Sequence, residues 1–179
     1  MSFSFLILCT ILLTALVLLG ILAVIDLRVR LLPNIYVFPF AALGVVFHIV
    51  SDFEIISLPL MLAGGALGYG LLWTIRFFAN RHYGRDSLGL GDVKLMGAAG
   101  LWLGADGVLF ALTIGAFAGV LHGIVHALVI AARDKSAPSL RQLMIPAGPG
   151  FIIGIVAVGA WLFHPFFAEW LYGFGPDLF

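Results

Sequence analysis

The feature that most constrains the fold is a succession of long apolar runs separated by short polar stretches. About twenty helical residues, rising about 1.5 Å each, cross the roughly 30 Å of hydrocarbon in a membrane. The chain of 179 residues is 63% hydrophobic and only 10% charged, which excludes an ordinary soluble protein. We therefore predict an all-α, polytopic membrane helix bundle that forms a single domain over residues 1–179.

The apolar runs predict about six transmembrane helices. They cover residues 3–25, 35–50, 58–78, 93–103, 108–132 and a last run that follows residues 145–150 and ends near residue 170. The fourth helix is short, because eleven residues rise only about 16 Å, half a membrane. Either the following turn, residues 104–107, is buried in protein or the bilayer is thinner there. Glycines at 64, 65, 68 and 70 predict close approach of a neighbour to the third helix.

The basic residues are distributed asymmetrically about this arrangement. Six spans place all nine Lys and Arg residues on the face opposite the two termini. The excess of cations on cytoplasmic loops of membrane proteins predicts that this face is cytoplasmic and that both termini lie outside. Asp26, Asp86 and Asp92 fall on the same cytoplasmic side.

Two of these aspartates occupy positions where an acid is costly. Asp26 follows the first apolar run, and Asp92 ends the turn Gly89-Leu90-Gly91-Asp92 that opens the short helix. A carboxylate near hydrocarbon costs about 2.5–3.5 kcal/mol on insertion scales, so its presence indicates a function. Two carboxylates in one site share a proton, and together they can activate water and protonate a peptide carbonyl. We predict that Asp26 and Asp92 form an aspartic protease pair; a plain helix N-cap at Asp92 is the alternative.

Three stretches in the same order resemble the motifs of the type IV prepilin peptidase family, membrane aspartyl proteases with a Gly-x-Gly-Asp signature. They are residues 25–34, which contain Leu-Pro-Asn, residues 86–95, and residues 145–149, which contain Pro-x-Gly-Pro. The resemblance implies that Asp26 and Asp92 are catalytic. It also implies that the frame of the site, or its substrate-binding surface, includes Gly89, Gly91 and Lys94.

The resemblance further implies a substrate and a location. Such enzymes remove a short basic leader from prepilin or pseudopilin precursors at the cytoplasmic face of the inner membrane. The expected partners are this precursor and the lipid bilayer, with no cofactor, no metal and no nucleic acid, and the oligomeric state stays open. The family's long form carries an N-terminal part with paired Cys-x-x-Cys, whereas this chain has one cysteine, Cys9. Methyltransferase activity is therefore not expected, and the short form is similar to that found with Flp or tight-adherence pili.

Two other functions remain as alternatives. A presenilin-like intramembrane protease also carries Gly-Leu-Gly-Asp, but there a Pro-Ala-Leu motif is expected, and here Pro146-Ala147 is followed by Gly148. A small proton-coupled transporter would use the buried acids as proton relays.

Among the remaining polar residues, His122 and His126 lie one helical turn apart and could bind a metal, but no third ligand is evident. His48 is expected at the outer interface of the membrane. Asp86 reads as a loop charge, or as the edge of the site, and Lys94 as a cation that reaches either the headgroups or Asp92.

Overall fold

The computed structural model describes residues 3–84, 86, 88–134 and 147–173. These residues form five helices, α1 (Phe3–Val29), α2 (Asn34–Val50), α3 (Leu58–Tyr83), α4 (Leu90–Asp134) and α5 (Gly148–Gly173). The described ranges contain no strand, and α1, α3 and α4 are long and apolar enough to cross a membrane. Two shorter apolar helices accompany them, α2 and the first part of α5. The predicted all-α membrane bundle is confirmed, and the described residues are assigned to five helices rather than six.

The difference in count arises at Gly104, where α4 breaks. Gly104 has φ 69° and ψ −174°, a left-handed φ that glycine adopts without a Cβ clash. An added Cβ on Gly68 of α3 would meet both Met96 and, at 2.9 Å, Val108 Cγ2. A straight helix would hold residues 96 and 108 about 18 Å apart, so the chain reverses between them. The predicted fourth and fifth helices are thus the two limbs of α4, the first limb (90–103) and the second limb (105–134).

Protein covers Gly104 at the centre of the reversal, whereas Asp106 in the same turn is exposed. Gly104 is buried, and a Cβ added to it would lie 3.3 Å from Ile56 Cγ2 and 3.7 Å from the Leu60 carbonyl oxygen. The segment between α2 and α3 and the start of α3 therefore cover the end of the first limb. One carbonyl near the end of that limb, that of Trp102, is hydrogen-bonded to His48 Nε2 of α2, so protein rather than lipid satisfies it.

Glycines bring α3 and α4 into backbone contact, as the sequence predicts. A Cβ at Gly64 would strike the Gly100 carbonyl oxygen, and one at Gly65 would lie 2.8 Å from Leu101 Cδ2. Gly68 is equally close to α4, whereas nothing lies within 4 Å of a Cβ added to Gly70. Three of the four predicted glycines therefore serve close packing.

Three helix ends differ from the predicted bounds, and each lies at the polar end of the bundle. α1 continues through Asp26 to Val29, α3 reaches Tyr83, and α4 begins at Leu90. The predicted helices ended at the first charged residues, but a cation in the last turn is favourable beside the helix dipole, as with Arg28 of α1. Asp26 therefore lies in the last turn of α1 and not in the loop after it.

The opposite end of the bundle is filled by an aromatic cluster around Trp102. Its indole Nε1 donates to the Phe40 carbonyl oxygen at 2.8 Å, and its ring packs 5.5 Å from those of Phe40 and Phe47. His48, predicted at the membrane interface, is instead fully buried, with Nε2 3.2 Å from the Trp102 carbonyl oxygen. That hydrogen bond replaces one to water at Nε2, whereas Nδ1 is buried with no partner among the described residues.

Candidate active site

The two predicted acids come together at the polar end of the bundle. Asp26 is 5% exposed in the last turn of α1, and Asp92 is 8% exposed in the first turn of α4. The two carboxyl groups are near enough for the charge of one to act on the other. Because α1 ends and α4 begins at the same end of the bundle, two acids distant in sequence are buried near each other.

Asp26 is fixed by the start of α5. The Gly148 N–H donates to Asp26 Oδ2 at 3.1 Å, and a Cβ added to Gly148 would lie 2.6 Å from the same oxygen. Glycine is required because any side chain would push the carboxylate away. Arg30, which follows the end of α1 with φ 54°, is close enough to contribute a favourable positive charge.

The Asp92 carboxylate accepts a hydrogen bond from the backbone, but one of its two oxygens has no partner among the described residues. The Gly89 N–H donates to its carboxylate, and a Cβ added to Gly89 would lie 2.9 Å from Asp92 Oδ2. Asp92 Oδ1 is buried and has no hydrogen-bond partner among the described residues. Most buried carboxylate oxygens have a partner, so this oxygen is an exception that a functional role would explain.

Gly91 and Lys94, the other predicted frame residues, connect the first turn of α4 to its surroundings. A Cβ on Gly91 would lie 2.8 Å from Leu32 Cβ, so glycine lets this turn abut the loop between α1 and α2. Lys94 Nζ donates to Asn34 Oδ1 at 3.1 Å and lies 5.9 Å from the centre of the Phe38 ring. Both residues thereby join the Gly-x-Gly-Asp stretch to the stretch that begins at Asp26.

The other polar residues singled out from the sequence lie elsewhere. Asp86 is 77% exposed, and its carboxylate pairs with Arg76 at 2.9 Å rather than with the acids. The rings of His122 and His126 stack 6.2 Å apart on an exposed part of α4. The described residues contain no group of three or more potential metal ligands.

Sequence reasoning missed two contributors to the site, Gly148 and Leu32. Gly148 belongs to the third motif stretch, so the sequence marked this residue, but it did not predict the hydrogen bond to Asp26. Residues 145 and 146 of that stretch lie outside the described residues. Leu32 is the Leu of the Leu-Pro-Asn in the first motif stretch, but its burial to 8% exposure was not predicted.

Chemically, the arrangement offers two adjacent carboxyl groups with one oxygen of each bound to a backbone N–H. Such N–H groups fix the orientation of each carboxyl group. The unpartnered oxygen of Asp92 is then available to accept a proton from water. Two buried acids whose charges act on each other are a common arrangement at sites of acid–base chemistry.

Comparison with known proteins identifies similar chains. The family model described as the type IV leader peptidase family matches residues 12–124. The chain is 32% identical over 140 residues to a prepilin leader peptidase/N-methyltransferase of Xanthomonas campestris pv. campestris, covering 77% of this chain and 43% of the relative. Proteins of the same description match from Escherichia coli K12, 35% identical over 108 residues (60% and 47%), and Dickeya chrysanthemi, 32% over 144 residues (78% and 48%). The chain thus spans less than half the length of these curated relatives. No solved structure matches it.

Proposed function

Because the chain belongs to the type IV leader peptidase family, we propose that it is an aspartic endopeptidase that cleaves leader peptides from prepilin or pseudopilin precursors. Asp26 and Asp92 are the proposed catalytic pair. The observation that carries this proposal is the buried, unpartnered Oδ1 of Asp92 beside a second buried carboxyl group. The family match favours this function over a proton-coupled transporter or a presenilin-like protease.

The proposed reaction uses one water molecule and one proton held by the pair. The ionised carboxylate takes a proton from water as the water oxygen attacks the scissile carbonyl carbon. The protonated carboxyl group donates its proton to the carbonyl oxygen, which gives a neutral tetrahedral intermediate. Collapse of the intermediate breaks the C–N bond, and the amine leaves with a proton returned by the pair. The Gly89 and Gly148 N–H groups keep both carboxyl groups in position throughout.

The proposed location is the cytoplasmic face of the inner membrane, with both termini outside. Asp26 and Asp92 lie at the end of the bundle where Arg28, Arg30 and Lys94 also lie, and the positive-inside rule supports a cytoplasmic assignment for that end. The precursor then enters from the cytoplasm, where its leader is accessible.

The test is cleavage of a purified prepilin precursor by the protein in lipid nanodiscs. Asp26→Asn and Asp92→Asn are each expected to lower kcat about 10²- to 10⁴-fold, the usual contribution of a general acid or base. Asp106→Asn is the matched control, since Asp106 is an exposed acid beside the reversal at Gly104. Wild-type cleavage by either site variant would refute the proposed pair. Offering Flp-type and other pilin precursors side by side identifies the substrate class.

A further inference from the structure

The guanidinium of Arg76 makes an unusual connection between α3 and the loop before Asp92. Nη1 donates to the Leu88 carbonyl oxygen at 2.7 Å, and Nη2 donates to Asp86 Oδ1 at 2.9 Å. Asn80, one turn further along α3, donates its amide to the same Asp86 oxygen at 2.8 Å. The Arg76 side chain thus binds both a backbone carbonyl and the side chain of Asp86 in the same loop.

The backbone that Arg76 binds, at Leu88, leads directly into the candidate active site. Leu88 immediately precedes Gly89, whose N–H donates to the Asp92 carboxylate. The peptide unit between Leu88 and Gly89 contains both the carbonyl that Arg76 holds and the N–H that Asp92 uses. Because this peptide unit is planar, fixing the carbonyl oxygen also fixes the direction of the N–H.

An ordinary surface ion pair does not account for this arrangement. Exposed ion pairs contribute about 0–1 kcal/mol, and Asp86 alone is exposed enough to fit that description. The Arg76 side chain is only 22% exposed, and its second bond goes to a backbone carbonyl. Charge-assisted hydrogen bonds from a partly buried guanidinium are the stronger kind, and a planar fork holds two acceptors at a fixed separation.

We propose that Arg76 is a positioning residue, which orients the Leu88–Gly89 peptide so that the Gly89 N–H holds the Asp92 carboxylate for catalysis. Asp86 acts through Arg76 by orienting its guanidinium, and Asn80 orients Asp86. This inference rests on the proposed endopeptidase function of the site. It assigns a role to the polar stretch between α3 and α4, which the catalytic pair alone leaves unexplained.

The first experiment separates kcat from KM in precursor cleavage. Arg76→Ala is expected to lower kcat about 10- to 100-fold, because misplacement by a fraction of an ångström to 1 Å costs on this order, while KM changes less than about twofold. Arg76→Lys is expected to stay close to Arg76→Ala, since an ammonium cannot hold both acceptors. Arg81→Ala, which removes an exposed cation at the same end of α3, is expected to cleave like wild type. Wild-type kcat in Arg76→Ala, or an effect confined to KM, would overturn the proposal.

The second experiment asks whether Asp86 acts through Arg76. Asp86→Asn is expected to lower kcat about 3- to 10-fold, and the double variant Arg76→Ala/Asp86→Asn is expected to match Arg76→Ala alone, because partners in one network are not additive. Losses that multiply in the double variant would mean that the two residues act independently, which contradicts the positioning role.

A readout that needs no activity separates this proposal from the proposed function. Hydrogen exchange of the amides of residues 88–92 is expected to accelerate at least about tenfold in Arg76→Ala and not in Arg81→Ala. Absence of cleavage by the wild-type protein would refute the proposed function. An unchanged rate of hydrogen exchange in Arg76→Ala would refute the positioning role of Arg76. If Arg76→Ala does not fold, Arg76→Lys and Asp86→Asn carry both measurements.

Discussion

Replacing Gly148 with alanine is expected to disable the candidate active site while the bundle stays folded. The new Cβ would lie 2.6 Å from Asp26 Oδ2 and 3.0 Å from Cγ, whereas ordinary contact begins at 3.4 Å. The carboxyl group must therefore retreat by about 0.8 Å, or the first turn of α5 must move by as much. A displacement of about 1 Å costs about 10²-fold in rate, which is about 2.7 kcal/mol of barrier. We expect kcat to fall about 30- to 100-fold.

The assay is precursor cleavage in nanodiscs, followed by mass spectrometry of the released leader. Gly20→Ala is the matched control, because Gly20 lies on the same helix as Asp26 and nothing lies within 4 Å of its added Cβ. That control is expected to retain full activity and to gain about 0.5–1 kcal/mol of helix stability. A folded Gly148→Ala protein that cleaves at the wild-type rate would show that the contact between α5 and Asp26 does not set the catalytic geometry.

Three further predictions test packing and chemistry. Gly64→Ala is expected to destabilise the fold by about 1–3 kcal/mol in thermal unfolding, because its Cβ meets the Gly100 carbonyl oxygen. Gly70→Ala, with nothing within 4 Å, is expected to gain about 0.5–1 kcal/mol of helix stability, as Gly20→Ala does; equal midpoints of the Gly64 and Gly70 variants would contradict the backbone contact. Trp102→Phe is expected to cost at least about 0.5–1.5 kcal/mol in denaturant unfolding, because it removes the 2.8 Å bond to the Phe40 carbonyl; an unchanged midpoint would show that this bond contributes nothing. Treatment with EDTA is expected to leave cleavage unchanged, since the proposed reaction uses carboxyl groups and water, and activity restored only by added zinc would contradict it.

The helical character and the position of the reversal were predictable from the sequence because the membrane limits the choices. Long apolar runs can satisfy their backbone groups in lipid as helices, and an eleven-residue run too short to cross the bilayer required a turn near residue 104. Glycine spacing in α3 likewise predicted close contact. Helix ends were less predictable, because Asp26 and Arg28 continue α1 although a charge usually suggests a loop.

Apart from the predicted approach of Asp26 to Asp92, contacts between distant segments were beyond the sequence. The bond from Gly148 to Asp26 depends on α5 being a neighbour of α1, and no local pattern specifies which helices are adjacent. The burial of His48 depends on a carbonyl supplied by Trp102, 54 residues away. Arg76 looked like one of several loop cations, and only its two bonds distinguish it.

The reversal at Gly104 has a consequence for the cell that contains this protein. The first limb places Asp92 only about 18 Å from the turn, so only a short length of helix separates the acids from the opposite side of the bundle. Across that distance the described chain places the Phe40 ring stacked on that of Trp102 and the Phe47 ring tilted against it. Water that enters at the acids meets an apolar barrier before it reaches the other side. Under the proposed function, the two acids would transfer protons on one side of this apolar layer without opening a path for protons across the membrane.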